Sequence, residues 1–539
     1  MNSDHTILQV QELCVDAIDQ HGKIKPIVSD INFSVTAGQV ISLIGESGSG
    51  KTTAALATLG YSRPGCQIRK GRVMLQGENI LALDPAQIQA RRGSDIAYIA
   101  QSAASAFNRA LSIGKQVTEV AVVKGLMTQQ QANRRAQSLY HQLGLPHPES
   151  IGELYPHQVS GGQLQRLMAA MAMMCQPKLL IMDEPTTALD VTTQIEVLQS
   201  LKRLIREQKV AAIYISHDLA VVAQMADEIL VLKDGKMIEL QSTRKILDAP
   251  EQEYTRRLIK AVPQLKPKAQ GRKKRVADDL LNISHVTARY GSNSTSVALK
   301  DISLKVKQGE TVGIIGESGS GKTTLGRVIS GLMTPSNGQI KLLGRELGHS
   351  CKNRSRDDLR QIQFVFQSAE TALNPRHRIR HILGRPLEFY LGMNASAAQQ
   401  RIVELLNLVE LPADFIDRFP RELSGGQLQR INFARALAAE PKLIICDEIT
   451  SALDTLVSQA ILDLLIKLKK RLGIAYIFIS HDLSTVSKLA DSIAVMLHGE
   501  IIDFNRTEKI LNPPYHEYTK LLLDSIPKLR TGWLEEVTV

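Results

Sequence analysis

The chain has 539 residues, more than a single hydrophobic core uses, so two or more domains are expected. Its 43% hydrophobic and 22% charged content is ordinary for a soluble globular protein. No apolar run approaches the roughly 18–20 residues that span a bilayer, and the opening MNSDHTILQV lacks the basic-then-apolar pattern of a secretion signal. Five scattered cysteines (Cys14, Cys66, Cys175, Cys351, Cys446) form no C-x-x-C pair, which argues against a zinc or iron–sulfur site and fits a reducing cytoplasm. The net charge of +11 fits either an anionic partner or a lysine-rich solvated exterior.

In chain order, the first strong pattern is the apolar run QVISLI, expected to be a buried strand, followed at once by GESGSGKTT, Gly45–Thr53. A G-x-x-x-x-G-K-[ST] loop after a strand is a phosphate-binding loop. Its glycines let backbone N–H groups turn inward, and the next helix adds positive potential at its N-terminus. Gly45, Ser47, Gly48 and Gly50, with Thr53 behind them, are expected to wrap the phosphates. Lys51 would reach the β- and γ-phosphates, and Thr52 would hold Mg²⁺.

IAYIAQSA follows and carries Gln101, a weak signal alone. From about Ser102 to Ser160 the pattern is polar and helical, so a helical subdomain is expected to be inserted in the α/β core. Ser160-Gly161-Gly162-Gln163 then opens a helical run, and two glycines and a serine at a helix start make a second anion site. The Met-rich stretch behind it reads as helix core. LLIMDE ends a buried strand in two carboxylates, which would be costly without a cationic partner. Asp183 is placed to take Mg²⁺ through water, and Glu184 to polarise the attacking water. His217, after the strand AAIYIS, is expected to contact the γ-phosphate.

The second half repeats all of this. GESGSGKTT recurs at Gly316–Thr324, its lysine Lys322 lying 271 positions after Lys51. Gly316, Ser318, Gly319, Gly321, Thr323 and Thr324 take the loop roles. Gln367, Ser424, Gly425, Gly426, Asp447, Glu448 and His481 follow in the same order. A repeat this long is a whole domain and not one unit of a solenoid. Domain one is expected at 1–263 and domain two at 278–530, with a basic linker, QLKPKAQGRKKRVA, at 264–277.

Phosphate loop, glutamine, SGGQ, Asp-Glu, ALD and strand-end His, in this order, resemble the nucleotide-binding domains of ABC ATPases across nearly the whole chain. The fold this implies is two P-loop α/β domains in tandem, each a RecA-like core with an inserted helical subdomain. In that family two domains dimerise head to tail, and each ATP lies between one phosphate loop and the other domain's SGGQ. The resemblance then implies two sites. Lys51, Thr52, Gln101, Asp183, Glu184 and His217 would face Ser424, Gly425 and Gly426. Lys322, Thr323, Gln367, Asp447, Glu448 and His481 would face Ser160, Gly161 and Gly162. Thr52, Gln101 and Asp183, and likewise Thr323, Gln367 and Asp447, would hold the metal. Tyr290 in VTARYG fits the family's adenine-stacking aromatic, while the matching place in the first half offers Ala17 or Ile18. The second half has Ile449 where the family usually has Pro.

The tails EYTRRLIKAVP and EYTKLLLDSIP, and ALNPR after Gln367, resemble the ATPases of peptide/nickel (oligopeptide and dipeptide) importers. That resemblance implies ATP and Mg²⁺ as cofactors, two membrane permeases and an extracytoplasmic substrate-binding protein as partners, and a peripheral place on the cytoplasmic face of the inner membrane. No nucleic-acid partner is expected. The competing reading is a soluble twin-ABC translation factor bound to the ribosome. Such factors join their domains by a long charged helix, where this chain has about 14 residues.

Overall fold

The computed structural model describes residues 6–19, 22–186, 189–263, 265, 278–290, 297–451 and 453–537. The basic linker, apart from Leu265, lies outside the described residues, as do Ala188 and Ala452 of the two ALD motifs. The chain divides into two compact units, Met1–Val262 with Pro527–Val539, and Pro263–Ile526.

In the first unit the strand Val40–Ile44 pairs in parallel with Ala211–Ile215 on one side and Glu228–Lys233 on the other. Leu179–Asp183 lies beside Ala211–Ile215, and Ile96–Ile99 beside Leu179–Asp183. Val40–Ile44, Leu179–Asp183 and Ala211–Ile215 are buried at all five positions, as the continuous apolar runs require of strands covered on both faces. Antiparallel strands Thr6–Ile18, Ile24–Thr36 and Cys66–Leu75 extend the sheet.

The second unit repeats the parallel core as Ile362–Val365, Leu443–Asp447, Ala475–Ile479, Thr311–Ile315 and Ser492–Leu497 in spatial order, edged by the antiparallel strand Glu500–Arg506, while Val297–Lys307, Asp279–Arg289, Asn337–Leu342 and Arg345–Glu346 form a separate four-stranded sheet. The expected helical insertion is present in both units, as Ile113–Val123 and Gln129–Gln142, and as Ile379–Leu391 and Ala395–Leu408. Met168, Met173 and Met174 are buried, so the Met-rich run is core. This topology places the chemistry. The phosphate loops, the glutamines, the Asp-Glu pairs and the histidines all lie at the carboxyl ends of neighbouring parallel strands, where open α/β sheets gather their ligands.

The last residues of the chain pack on the first unit. Gln224, 1% exposed, donates its amide hydrogens to the carbonyls of Lys528 and Arg530 at 2.8 and 2.7 Å, and its Oε1 accepts the Leu534 N–H at 3.1 Å. Gln199 donates to the carbonyls of Leu534 and Val537, and Lys202 pairs with Glu535 at 2.7 Å. Trp533, the one tryptophan, is 2% exposed here. Trp533→Ala should destabilise the first unit by about 3–5 kcal/mol, the usual loss for a large buried aromatic. Urea denaturation followed by circular dichroism checks this, and an unmoved first transition would contradict it.

Candidate functional site

The phosphate loop is shaped by close approach. A Cβ on Gly45 would lie 2.1 Å from the Leu232 carbonyl oxygen, and one on Gly316 would lie 2.2 Å from that of Met496, so neither position admits a side chain. Helix Lys51–Ala57 starts from Gly50 at φ 94°, and Lys322–Ile329 from Gly321 at φ 102°, and neither start has a capping side chain. Lys51 is buried and donates to the carbonyls of Gly45 and Glu46 at 2.8 Å, and Lys322 does the same with Gly316 and Glu317 at 2.8 and 2.7 Å. The hydroxyls of Ser49 and Ser320 are buried without a hydrogen-bond partner. Uncapped amides, a folded-back ammonium and an orphaned hydroxyl together fit a polyphosphate.

Of the three residues expected around the metal in each unit, the threonine and the aspartate meet, while Gln101 and Gln367 turn to the neighbouring glutamates. The Thr52 hydroxyl donates to Asp183 Oδ1 at 3.2 Å, and that of Thr323 to Asp447 Oδ1 at 2.9 Å. Burial pushes both aspartates up from the usual carboxylate range. A hydroxyl beside a carboxylate is a hard oxygen pair suited to Mg²⁺. Among the described residues no three or more His, Cys, Asp or Glu side chains could hold a metal ion together. Such a pair suits a metal that arrives with substrate phosphates, not one caged by protein.

Glu184 and Glu448 both sit at φ 48°, in the left-handed region. Holding a non-glycine residue there costs of order 1–3 kcal/mol, and such strain clusters at functional sites. Gln101 donates to Glu184 Oε2 at 3.1 Å, and His217 Nδ1 lies 2.8 Å from Oε1. Gln367 donates to Glu448 at 3.1 Å, with His481 Nδ1 at 3.5 Å. Burial works against charge on both imidazoles, but the adjacent glutamates outweigh it and raise both histidines above their ordinary pKa. The His481 contact in turn holds Glu448 below the usual carboxylate range.

Ser160 and Ser424 cap the helices Gly161–Met173 and Gly425–Leu437, each closing a reciprocal capping box with the glutamine three residues on. Gly162 and Gly426 are fixed by packing, since a Cβ would meet Thr193 Cγ2 at 2.0 Å and Val457 Cγ1 at 2.4 Å. Ser160, Gly161, Ser424 and Gly425 are exposed or only partly covered.

Tyr290 is 52% exposed at the end of strand Asp279–Arg289, and its hydroxyl lies 2.6 Å from that of Thr324. Val15 pairs with Val28 as Ala288 pairs with Leu299, so strand register makes Ala17, not Ile18, the counterpart of Tyr290.

Sequence reasoning missed Tyr254 and Tyr518. Their hydroxyls accept the backbone N–H of Glu46 at 3.2 Å and of Glu317 at 3.0 Å, which anchors each tail helix to its phosphate loop. The repeated EYT of the tails was the available signal.

Taken together, the fold and these residues define a P-loop ATPase. The profile of the ABC transporter family matches residues 28–187 and 299–451, and that of the oligopeptide/dipeptide transporter C-terminal region matches 238–285 and 502–538. The glutathione import ATP-binding protein GsiA of Escherichia coli K12 is 35% identical over 97% of this chain and 89% of its own length. GsiA of Salmonella choleraesuis is 34% identical over the same shares. Among solved structures, a dimeric ATP-binding cassette bound to ADP and Pi covers 42% of this chain and 99% of its own, with 31% identity and a TM-score of 0.39. The chain belongs to the ABC transporter ATPases, in the oligopeptide/dipeptide group. It is an ATP-hydrolysing subunit of an importer and works with membrane permeases; the relatives favour this over the ribosome-bound translation factor. No described helix is long and apolar enough to cross a membrane.

Proposed function

We propose that this chain carries two ATP sites and drives the import of a peptide or related small solute from the cytoplasmic face of the inner membrane. The repeats at 1–263 and 278–530 would form the two halves of an intramolecular head-to-tail dimer. Ser424, Gly425 and Gly426 would complete the site of Lys51, and Ser160, Gly161 and Gly162 that of Lys322. Fusing two such halves in one chain removes the entropy cost of bringing them together. The partners would be two permeases and an extracytoplasmic substrate-binding protein. Glutathione, named for GsiA, is a small peptide and marks the solute class.

One observation supports this reading most: the same threonine, aspartate, glutamate, glutamine and histidine converge in both units, with the same strained glutamate backbone. Thr52 with Asp183, and Thr323 with Asp447, would hold Mg²⁺, with Gln101 and Gln367 beside them. The ion would neutralise charge developing on the phosphates. Lys51 and Lys322 bind the β- and γ-phosphates. Glu184 and Glu448, each held at two oxygens, take a proton from water as its oxygen attacks the γ-phosphorus. The bond to the β-phosphate bridge breaks, and ADP and phosphate leave.

Trapping tests the two-site claim. The Glu184→Gln/Glu448→Gln chain with ATP and Mg²⁺ should retain two ATP per chain, and adding Lys51→Ala should leave one. A single ATP before that addition would contradict the proposal.

A further inference from the structure

Strand Ile96–Ile99 lies beside Leu179–Asp183 with Tyr98 opposite Ile181, and Ile362–Val365 lies beside Leu443–Asp447 with Phe364 opposite Ile445. Tyr98 and Phe364 are therefore the same place in the two repeats, three residues before Gln101 and Gln367. The repeats differ there by one oxygen atom. The Tyr98 hydroxyl donates to Asp183 Oδ2 at 3.0 Å, while that of Thr52 donates to Oδ1 at 3.2 Å. Both oxygens of this buried carboxylate are tied. In the second repeat Thr323 donates to Asp447 Oδ1 at 2.9 Å, and Phe364 has nothing to donate to the other oxygen.

We propose that Tyr98 is a positioning residue for the metal–nucleotide complex of the first site, and that it makes the two sites of this chain differ in metal affinity. The inference rests on the two-site reading above. A carboxylate held at one oxygen can turn its plane. Held at both, it presents Oδ1 beside Thr52 in one orientation. The phenol also draws some charge from the carboxylate, which acts the other way. Orientation outweighs this, because removing a hydrogen-bond partner from a metal-ligating group typically costs about 10–100-fold in metal affinity. Tyr98 acts through Asp183 and not on the reacting atoms. Phenylalanine at this place is compatible with the fold, since the second repeat carries it.

Mn²⁺ binding followed by electron paramagnetic resonance, on the full chain with ATP, is the test. Lys322→Ala leaves the first site intact, and Lys51→Ala the second. In the Lys322→Ala chain, Tyr98→Phe should raise the Mn²⁺ concentration at half-saturation by about 10-fold. ATP affinity measured in EDTA should stay unchanged. In the Lys51→Ala chain, Phe364→Tyr should lower the Mn²⁺ midpoint. An unmoved midpoint in Tyr98→Phe, or an equal loss of metal-free ATP binding, would overturn the assignment. The Lys322→Ala parent tells failure of the Tyr98 role from failure of the two-site reading. If it gives no ATP-dependent Mn²⁺ signal, the two-site reading itself fails.

Discussion

The Glu184→Gln/Glu448→Gln chain is expected to lose ATP turnover by about 10²–10⁴-fold, the usual contribution of a general base, while still binding ATP. The amide keeps the size of the carboxylate and can still meet Gln101 and Gln367, which hold Glu184 and Glu448 at 3.1 Å. What it lacks is the ability to take a proton. The phosphate contacts belong to other groups, Lys51 and Lys322 in the loops and Thr52 and Thr323 behind them, so nucleotide affinity should survive. Each single variant should leave one working carboxylate and slow turnover less than the pair. Steady-state phosphate release and equilibrium ATP binding on the same samples separate the two effects. Wild-type turnover in the double variant would remove the glutamates from the mechanism.

Tyr290→Ala should weaken ATP binding at the second phosphate loop by about 5- to 150-fold, which is stacking of roughly 1–3 kcal/mol expressed as affinity. The ring is half exposed at the strand end before the loop, where a base can lie on it. Register places Ala17 there in the first unit, so the first site should be the weaker before any mutation, and Ala17→Tyr should tighten it. Titrating ATP against Lys51→Ala and Lys322→Ala reads each site alone. Tyr290→Phe tells the ring from its hydroxyl bond to Thr324, since it keeps the face and loses the 2.6 Å contact. The alternative platform is also visible. Ile18 and Ile24 pair across the first hairpin and are 40% and 63% exposed. Equal affinities at the two sites, with Tyr290→Ala neutral, would mean that an aliphatic surface covers the base as well as a ring does.

Much of the architecture could be read from the chain because buried parallel strands are written as continuous apolar runs. VISLI, LLIMD and AAIYI each became a strand buried throughout. The loops leaving them carry their chemistry in residue type, so the phosphate loop and the Asp-Glu pair were legible too. Features that depend on backbone geometry were not. Nothing in DEP or DEI announces that Glu184 and Glu448 sit at φ 48°. The return of the chain to the first unit was hidden because Gln199 and Gln224 hold tail carbonyls more than 300 residues further on, partners no local pattern reveals. Tyr254 and Tyr518 stood in a repeated motif whose partner, a backbone N–H about 200 residues earlier, no local pattern points to. Tyr98 against Phe364 was visible as a difference between IAYIAQ and IQFVFQ. On an apolar run it reads as interchangeable core until the hydroxyl is seen on Asp183.

This chain is the ATP-hydrolysing subunit of a membrane importer. The most direct test is to isolate the tagged full-length chain from its native membranes in mild detergent, identify what co-elutes in fixed ratio, and assay ATP turnover of the complex. Two membrane-spanning permease chains are expected with each copy, and turnover that Glu184→Gln/Glu448→Gln abolishes without dissociating the complex. Recovery of the chain with ribosomes, and none of it with permeases in the membrane fraction, would mean that it does not drive an importer.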